Sequence, residues 1–163
     1  MTKEKIKATY NFSEHEFPKV KLEKCSIIEY NPSQSENYTS TKSCSFIIVK
    51  DGKGTVTYTD KRATLTKGSG IVIPSGETSK FKADSIEPFT LIEIQVSGKG
   101  ILSIISNIQN RENNNILNFG VNNKISDCAY DLIVECSKPY HSEFGILLLF
   151  YDFLKHKKRR GYT

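Results

Sequence analysis

Between Gly68 and Ser79 the chain reads Gly-Ser-Gly-Ile-Val-Ile-Pro-Ser-Gly-Glu-Thr-Ser, and this stretch narrows the folds open to it. Glycines stand on both sides of a short apolar run, and Pro74 closes the run. Glycine reaches backbone angles that other residues resist, and proline is tolerated at a strand end but not inside a central ladder. The segment predicts a short strand over Ile71, Val72 and Ile73, held between two tight turns.

The residues around it repeat that style up to about position 98. Leu22 to Tyr30 reads as a strand ended by Asn31-Pro32-Ser33, and Ser33 to Ser43 as a polar loop. Ser45 to Val49 is rich in β-formers, and Asp51-Gly52-Lys53-Gly54 turns the chain after it. Thr55 to Thr59 alternates β-branched and aromatic residues. Asp60-Lys61 connects it tightly to Arg62-Ala63-Thr64-Leu65. Lys80-Phe81-Lys82 and Phe89 to Val96 complete the set. Many short, closely spaced strands joined by glycine turns indicate a sandwich or small barrel.

After Gly98 the period changes. Ile101, Leu102, Ile104, Ile105 and Ile108 recur at helical spacing, and an asparagine-rich stretch ends that helix. Ile116 to Phe119 reads as an apolar connector. Ser126-Asp127 caps a helix carrying Ala129, Leu132, Ile133 and Cys136, stopped before Pro139. Ser142 opens a last helix that is apolar on more than one face. A monomer's surface helix needs a single apolar stripe. The wider belt, with Leu147, Phe150, Tyr151 and Leu154, is read as a homodimer interface; packing within its own domain is the alternative.

Charge and cysteine content exclude several functions. The net charge is +5, but Lys155, Lys157, Lys158, Arg159 and Arg160 supply it, leaving 18 basic against 18 acidic residues elsewhere. No global nucleic-acid footprint results. The basic end is read as a solvated helix terminus or linker, with a direct phosphate contact as the alternative. Cys25, Cys44, Cys128 and Cys136 form no Cys-x-x-Cys pair and are read as small hydrophobes. No apolar run approaches membrane-spanning length, and Met1 to Lys7 is not followed by a secretory h-region, so a cytoplasmic location without membrane contact is expected. No Gly-x-Ser-x-Gly elbow, His-Glu-x-x-His pair or phosphate-cradling loop occurs, so no catalytic residue is assigned.

The punctuation Gly68 to Ser79 resembles the second motif of the cupin β-barrel. In metal-binding cupins a histidine ligand stands where this chain has Ser79. Phe46 to Val56 and Ala63 to Glu77 together resemble the N-terminal regulatory domain of AraC-type transcription factors. That resemblance spans roughly residues 22 to 155. It implies a mainly β fold with C-terminal helices: a cupin-like barrel (double-stranded β-helix or jelly roll) followed by two or three α-helices. It also implies an N-terminal arm at 1–21, a barrel at 22–98, helices for dimerisation at 99–157, and the start of a linker at 158–163. The DNA-binding domain of that family has no counterpart within this chain, which is read as a fragment or a solitary sensor; DNA contact would pass through that absent domain.

Metal ligation is the first function to weigh for such a barrel. It requires several His, Asp, Glu or Cys side chains converging at about 2 Å. His15, His141 and His156 all lie off the expected strands, and the strand at Ser43 to Ile47 carries no His-x-His. No metal and no other cofactor is therefore expected. An organic effector remains. On Phe89 to Val96 one face carries Phe89, Leu91, Glu93 and Gln95; the other carries Thr90, Ile92, Ile94 and Val96. The first face suits a cavity wall, the second packing under helices. Aligned by the shared motif, Phe81, Leu91 and Glu93 fall where sugar-binding AraC-type domains contact ligand. Glu93 would be the polar anchor for hydroxyls or a cationic group; an exposed strand residue or a partner of Arg62 is the alternative. Tyr10, Phe12 and His15 belong to an arm that in this family folds over the barrel mouth. The expected function is effector sensing and dimerisation. The alternatives are a solitary metal-free cupin enzyme acting on a sugar-like substrate, using Glu93 with Tyr58 or His15, and a dimerisation module with a filled barrel.

Overall fold

The structure, a computed structural model, describes residues 5–11, 21–39, 42–98, 115–118 and 125–137. Ten strands and one helix lie among them: β1 (Lys5–Asn11), β2 (Lys21–Glu29), β3 (Ser35–Thr39), β4 (Cys44–Asp51), β5 (Lys53–Tyr58), β6 (Lys61–Thr66), β7 (Ser69–Ile73), β8 (Thr78–Ala83), β9 (Thr90–Ser97), β10 (Ile116–Asn118) and α1 (Ile125–Ser137). They form two antiparallel sheets. The larger runs β1-β2-β9-β4-β7-β10, and the smaller runs β3-β8-β5-β6.

Burial follows from which sheet faces are covered. In β5 and β8, buried and more exposed residues alternate, as a sheet with one solvated face requires. β4 and β9 are buried on nearly every residue. Their inward side chains meet the smaller sheet. Their outward ones, including Phe46, Ile48, Ile92 and Ile94, lie on the face where α1 packs against β1, β2, β4 and β9. Ala129, Leu132 and Ile133 are the buried stripe of α1, while Asp127, Tyr130, Asp131 and Val134 face solvent. The split of the β9 side chains between an interior and a helix-covered face thus matches the alternation in the sequence.

Between the sheets, Ile28, Tyr30, Ile47, Val49, Val56, Leu65, Ile71, Ile73, Phe81, Phe89 and Leu91 belong to one core. The glycine punctuation acts as expected: Gly68 (φ 93°) and Gly76 (φ 87°) bracket β7, whose five residues are all buried.

Three segments differ from the sequence reading. Residues 5–11, placed in an arm, form β1 and pair along β2 from Lys5↔Glu29 to Asn11↔Lys24. The arm reading overlooked the unpaired edge that β2 would otherwise present. The polar loop at 33–43 contains β3, paired with β8 from Ser35↔Lys82 to Thr39↔Thr78. A polar edge strand lacks the apolar alternation that reveals its neighbours. The connector at 116–119 supplies β10, which covers the edge of β7 through Ile116↔Ile71. The expected helices at 101–108 and 142–154 lie outside the described residues.

Candidate functional site

The interior changes character along the strands. At the level of Leu91, its neighbours in register are Ile28 and Val49. Two residues on, Glu93 stands beside Ser26 and Ile47; two further, Gln95 stands beside Lys24 and Ser45. On the smaller sheet, Phe81 gives way to Ser79, flanked in register by Tyr38 and Tyr58. One end of the sandwich is therefore apolar and the other polar.

The apolar end is filled. Phe81 is 1% exposed, Leu91 2% and Phe89 0%. Tyr30 meets Phe89 edge-on at 4.9 Å between ring centroids, and Phe81 meets Phe89 at 6.5 Å and Tyr38 at 6.4 Å. These are the T-shaped arrangements that ring quadrupoles favour. Phe81 and Leu91 share the core with these rings.

The polar end is a hydrogen-bond network centred on Glu93, itself 2% exposed. The Tyr38 hydroxyl donates to Glu93 Oε2. A phenol has one proton, so Ser45 Oγ is the donor in its contact with Tyr38. Gln95 Nε2 donates to Glu93 Oε2 at 2.9 Å and to the Tyr38 oxygen at 3.1 Å. Ser43 donates to Gln95 Oε1 at 3.4 Å, and Thr9 bonds Ser26 at 3.0 Å beside it. Burial, the Glu93 charge and the bond to Glu93 together push the Tyr38 phenol well above its ordinary value. The phenol therefore stays a donor at any physiological pH.

Glu93 thus faces the interior as expected, but Arg62 is not its partner. Arg62 pairs in register with Thr57, on the opposite, solvent-facing side of the smaller sheet. The residues that do meet Glu93 are Tyr38 and Gln95. Alternation along β9 puts Gln95 on the same face as Glu93 but does not reveal their contact. Tyr38 was hidden in the supposed loop, although Glu36-Asn37-Tyr38-Thr39 alternates in a way that hints at a strand. Tyr10 lies on β1, at the register position opposite Cys25. Phe12, His15 and the interface residues Leu147, Phe150, Tyr151 and Leu154 lie outside the described residues, as do His141 and His156.

Ser79 is 3% exposed and faces the interior, so the position that carries a histidine in metal-binding barrels here offers a hydroxyl. Tyr38 and Tyr58 flank it in register, and Tyr38 leads on to Ser45, Gln95 and one carboxylate, whose Oε2 already accepts two hydrogen bonds. Among the described residues no three His, Cys, Asp or Glu side chains gather to hold an ion. Hydroxyls, an amide and a single carboxylate do not fit a transition metal, which selects imidazole, thiolate or several carboxylates. The set does suit hydrogen bonding to an organic molecule. Cys25 and Cys44 are buried, neither of them in a disulfide, and among the described residues no helix is long and apolar enough to cross a membrane.

Residues 26–95 match the family model described as the cupin domain, and the two antiparallel sheets over this segment are a cupin fold. No curated protein matches the chain. Among solved structures, it is similar to an oxalate decarboxylase mutant from Bacillus subtilis, at 15% identity and a TM-score of 0.43. That match covers 50% of this chain but only 22% of the decarboxylase. A cupin protein from Bacteroides fragilis aligns at 18% identity and a TM-score of 0.44, over 51% of this chain and 70% of its own. The cupin domain of an XRE-family transcriptional regulator from Enterobacter cloacae aligns at 14% identity and a TM-score of 0.44, over 58% of this chain and 94% of its own.

Proposed function

We propose that this cupin-fold segment is the effector-sensing and dimerisation part of a cytoplasmic, AraC-type transcription regulator, and is a binder rather than an enzyme. The observation that carries this reading is the buried network of Glu93, Tyr38, Gln95 and Ser45 at one end of the barrel. Few polar groups converging beside apolar walls are what fixes the orientation of a small organic ligand. Glu93 accepts from ligand hydroxyls or pairs with a cationic group, and Tyr38 and Gln95 hold it in place. Dimerisation belongs to the segment with Leu147, Phe150, Tyr151 and Leu154, and sequence-reading DNA contact to a domain outside this chain. The effector biases the attached module by no more than its differential affinity for the two states.

The enzyme reading needs Glu93 to work with Tyr58 or His15. Glu93 instead bonds Tyr38 and Gln95 among the described residues. A dimerisation module with a packed barrel is the second reading, favoured by the rings of Phe81, Phe89 and Tyr30 that close the apolar end.

A thermal-shift screen against sugars, amines, organic acids and amphiphiles separates the two. A ligand at a hundred times its Kd stabilises the native state by about 2.7 kcal/mol, a shift easily read. The sensor reading expects at least one class to raise Tm and Glu93→Gln to weaken that effect at unchanged fold. No response to any class, from a chain that is dimeric by light scattering, leaves the packed module.

A further inference from the structure

The chain's body is electrically neutral in sum, but among the described residues one sheet face collects cations. In β3, β8, β5 and β6 the inward side chains alternate with outward ones, three outward on each strand. They are Ser35, whose Oγ is nonetheless buried, Asn37 and Thr39; Thr78, Lys80 and Lys82; Lys53, Thr55 and Thr57; Arg62, Thr64 and Thr66. Four of these are cations, the rest are hydroxyls and one amide, and no carboxylate or apolar residue interrupts them.

Register turns this list into a surface. Arg62, Thr57, Lys80 and Asn37 form one row across the sheet, and Thr64, Thr55, Lys82 and Ser35 form the next. Lys80 and Lys82 stand about 6.7 Å apart along their strand, and Arg62 and Lys80 about 9.6 Å apart across two strand spacings. Among the described residues none of the four cations is within ion-pair distance of a carboxylate. A groove of about 420 Å³ runs over this face, lined by Lys53, Thr55, Arg62, Thr64 and Lys82. Asp84 closes one end; its carboxylate accepts the backbone N–H groups of Ile86 and Glu87, at 3.0 and 2.9 Å, and feels the charge of Lys53. Asp60 sits in the β5–β6 turn, at the other rim.

The described helix on the far side of the larger sheet is acidic. α1 carries Asp127, Asp131 and Glu135 and no basic residue, and it covers the outer face of the larger sheet. A basic face of this kind orients the protein as it approaches a polyanion.

We propose that the outer face of the β3-β8-β5-β6 sheet binds the phosphate backbone of duplex nucleic acid, without reading its sequence. Cations and hydroxyls are the side chains that contact phosphate oxygens. The face carries no aromatic platform for unstacked bases, which argues against single strands. It carries no apolar residue to insert into a lipid surface or to form the core of a protein interface. The site is independent of the barrel interior, so it survives if the effector reading fails.

The test uses the full chain with Lys155, Lys157, Lys158, Arg159 and Arg160 changed to Gln, which silences the basic end. Fluorescence anisotropy with a labelled mixed-sequence duplex is followed between about 50 and 200 mM salt. Four phosphate contacts give a log–log slope of about −3.6, reduced by about 0.9 for each cation removed. Arg62→Gln, Lys80→Gln and Lys82→Gln together weaken low-salt binding by more than about tenfold, while Lys80→Arg and Lys82→Arg retain it. Far-UV circular dichroism checks that each variant is folded. The proposal is overturned by absent binding at low salt, by binding indifferent to these substitutions, or by tighter binding of polyglutamate or anionic vesicles than of duplex.

Discussion

Tyr38 and Glu93 are 55 residues apart in sequence and on different sheets, and the Tyr38 hydroxyl donates to Glu93 Oε2 across the barrel interior. The bond ties the edge strand β3 to the central strand β9. It also gives a buried carboxylate the donors that water would otherwise supply, since a buried charge is tolerated only when hydrogen-bonded or paired.

Removing that donor is therefore expected to destabilise the fold. Hydrogen bonds to charged groups contribute about 1.5–3 kcal/mol, so Tyr38→Phe should lower the unfolding free energy by about that much. The loss should shrink when Glu93 is already Gln, because no charge is then left unsolvated. A double-mutant cycle by urea denaturation reads the coupling directly, expected at about 1–3 kcal/mol. Additive effects would mean the two residues do not interact in solution.

Alkaline stability follows from groups whose neutral forms the fold protects, Tyr58 among them and Cys44 and Tyr38 foremost. Burial, and then the charge of Glu77, push the Cys44 thiol from 9.0 up to about 12. Tyr38 moves in the same direction from 10.0. Both folded values exceed the unfolded ones, so the native state holds protons that the unfolded chain has released. The contribution is complete below pH 9 and is lost as pH rises toward the folded values, by about 1.4 kcal/mol per pH unit for each group titrating. Chemical denaturation between pH 8 and 11 should show stability falling from near pH 9, and Cys44→Ala should delay the onset to near pH 10, where Tyr38 begins to act. An unchanged onset in Cys44→Ala would remove the thiol from the account.

What the sequence revealed, and what it hid, divides along physical lines. The turns around β7, the strands β4 to β9 and the helix α1 are legible because glycine, proline and apolar periodicity act locally. Even the inward face of β9 is readable, since Glu93 and Gln95 alternate with aliphatic residues. The partner of Glu93 is not readable, because it depends on how two sheets stack. Tyr38 lies on an edge strand whose polar residues mimic a loop. Arg62 looked like a suitable counter-ion until the register of β5 and β6 sent it outward. The basic sheet face is hidden for the same reason: Lys53, Arg62, Lys80 and Lys82 are scattered along the chain, and only strand order makes them neighbours.

Two glycines give a paired stability test. Gly76 has φ +87° but open space where a Cβ would stand. Gly76→Ala should carry only the backbone strain of a left-handed residue, about 1–2 kcal/mol. Gly52 has φ +77°, and a Cβ there would lie 2.3 Å from the Pro88 carbonyl oxygen and 2.8 Å from Phe89 Cα. Backbone atoms cannot step aside, and Lys53, next to Gly52, also donates its N–H to Glu87 O at 2.9 Å. Gly52→Ala should therefore cost more than Gly76→Ala by at least about 1 kcal/mol. Thermal melts of the two variants at equal concentration give the order, and equal losses would contradict the close approach at Gly52.

The β5–β6 hairpin leaves room for improvement. Thr59 and Asp60 form its two-residue turn, with φ of 39° and 63°. A type I′ turn needs positive φ at both central residues, which suits Asn-Gly far better than Thr-Asp. A β-branched residue in that region is strained. Thr59→Asn with Asp60→Gly should thus stabilise the protein by about 1–2 kcal/mol, through relief of strain at both positions. Removing Asp60 also removes a carboxylate from the rim of the basic face. The same double variant should therefore bind duplex no more weakly than the parent chain. Denaturant midpoints measure the first effect and anisotropy the second; a lowered midpoint would show that the turn adopts another conformation in solution.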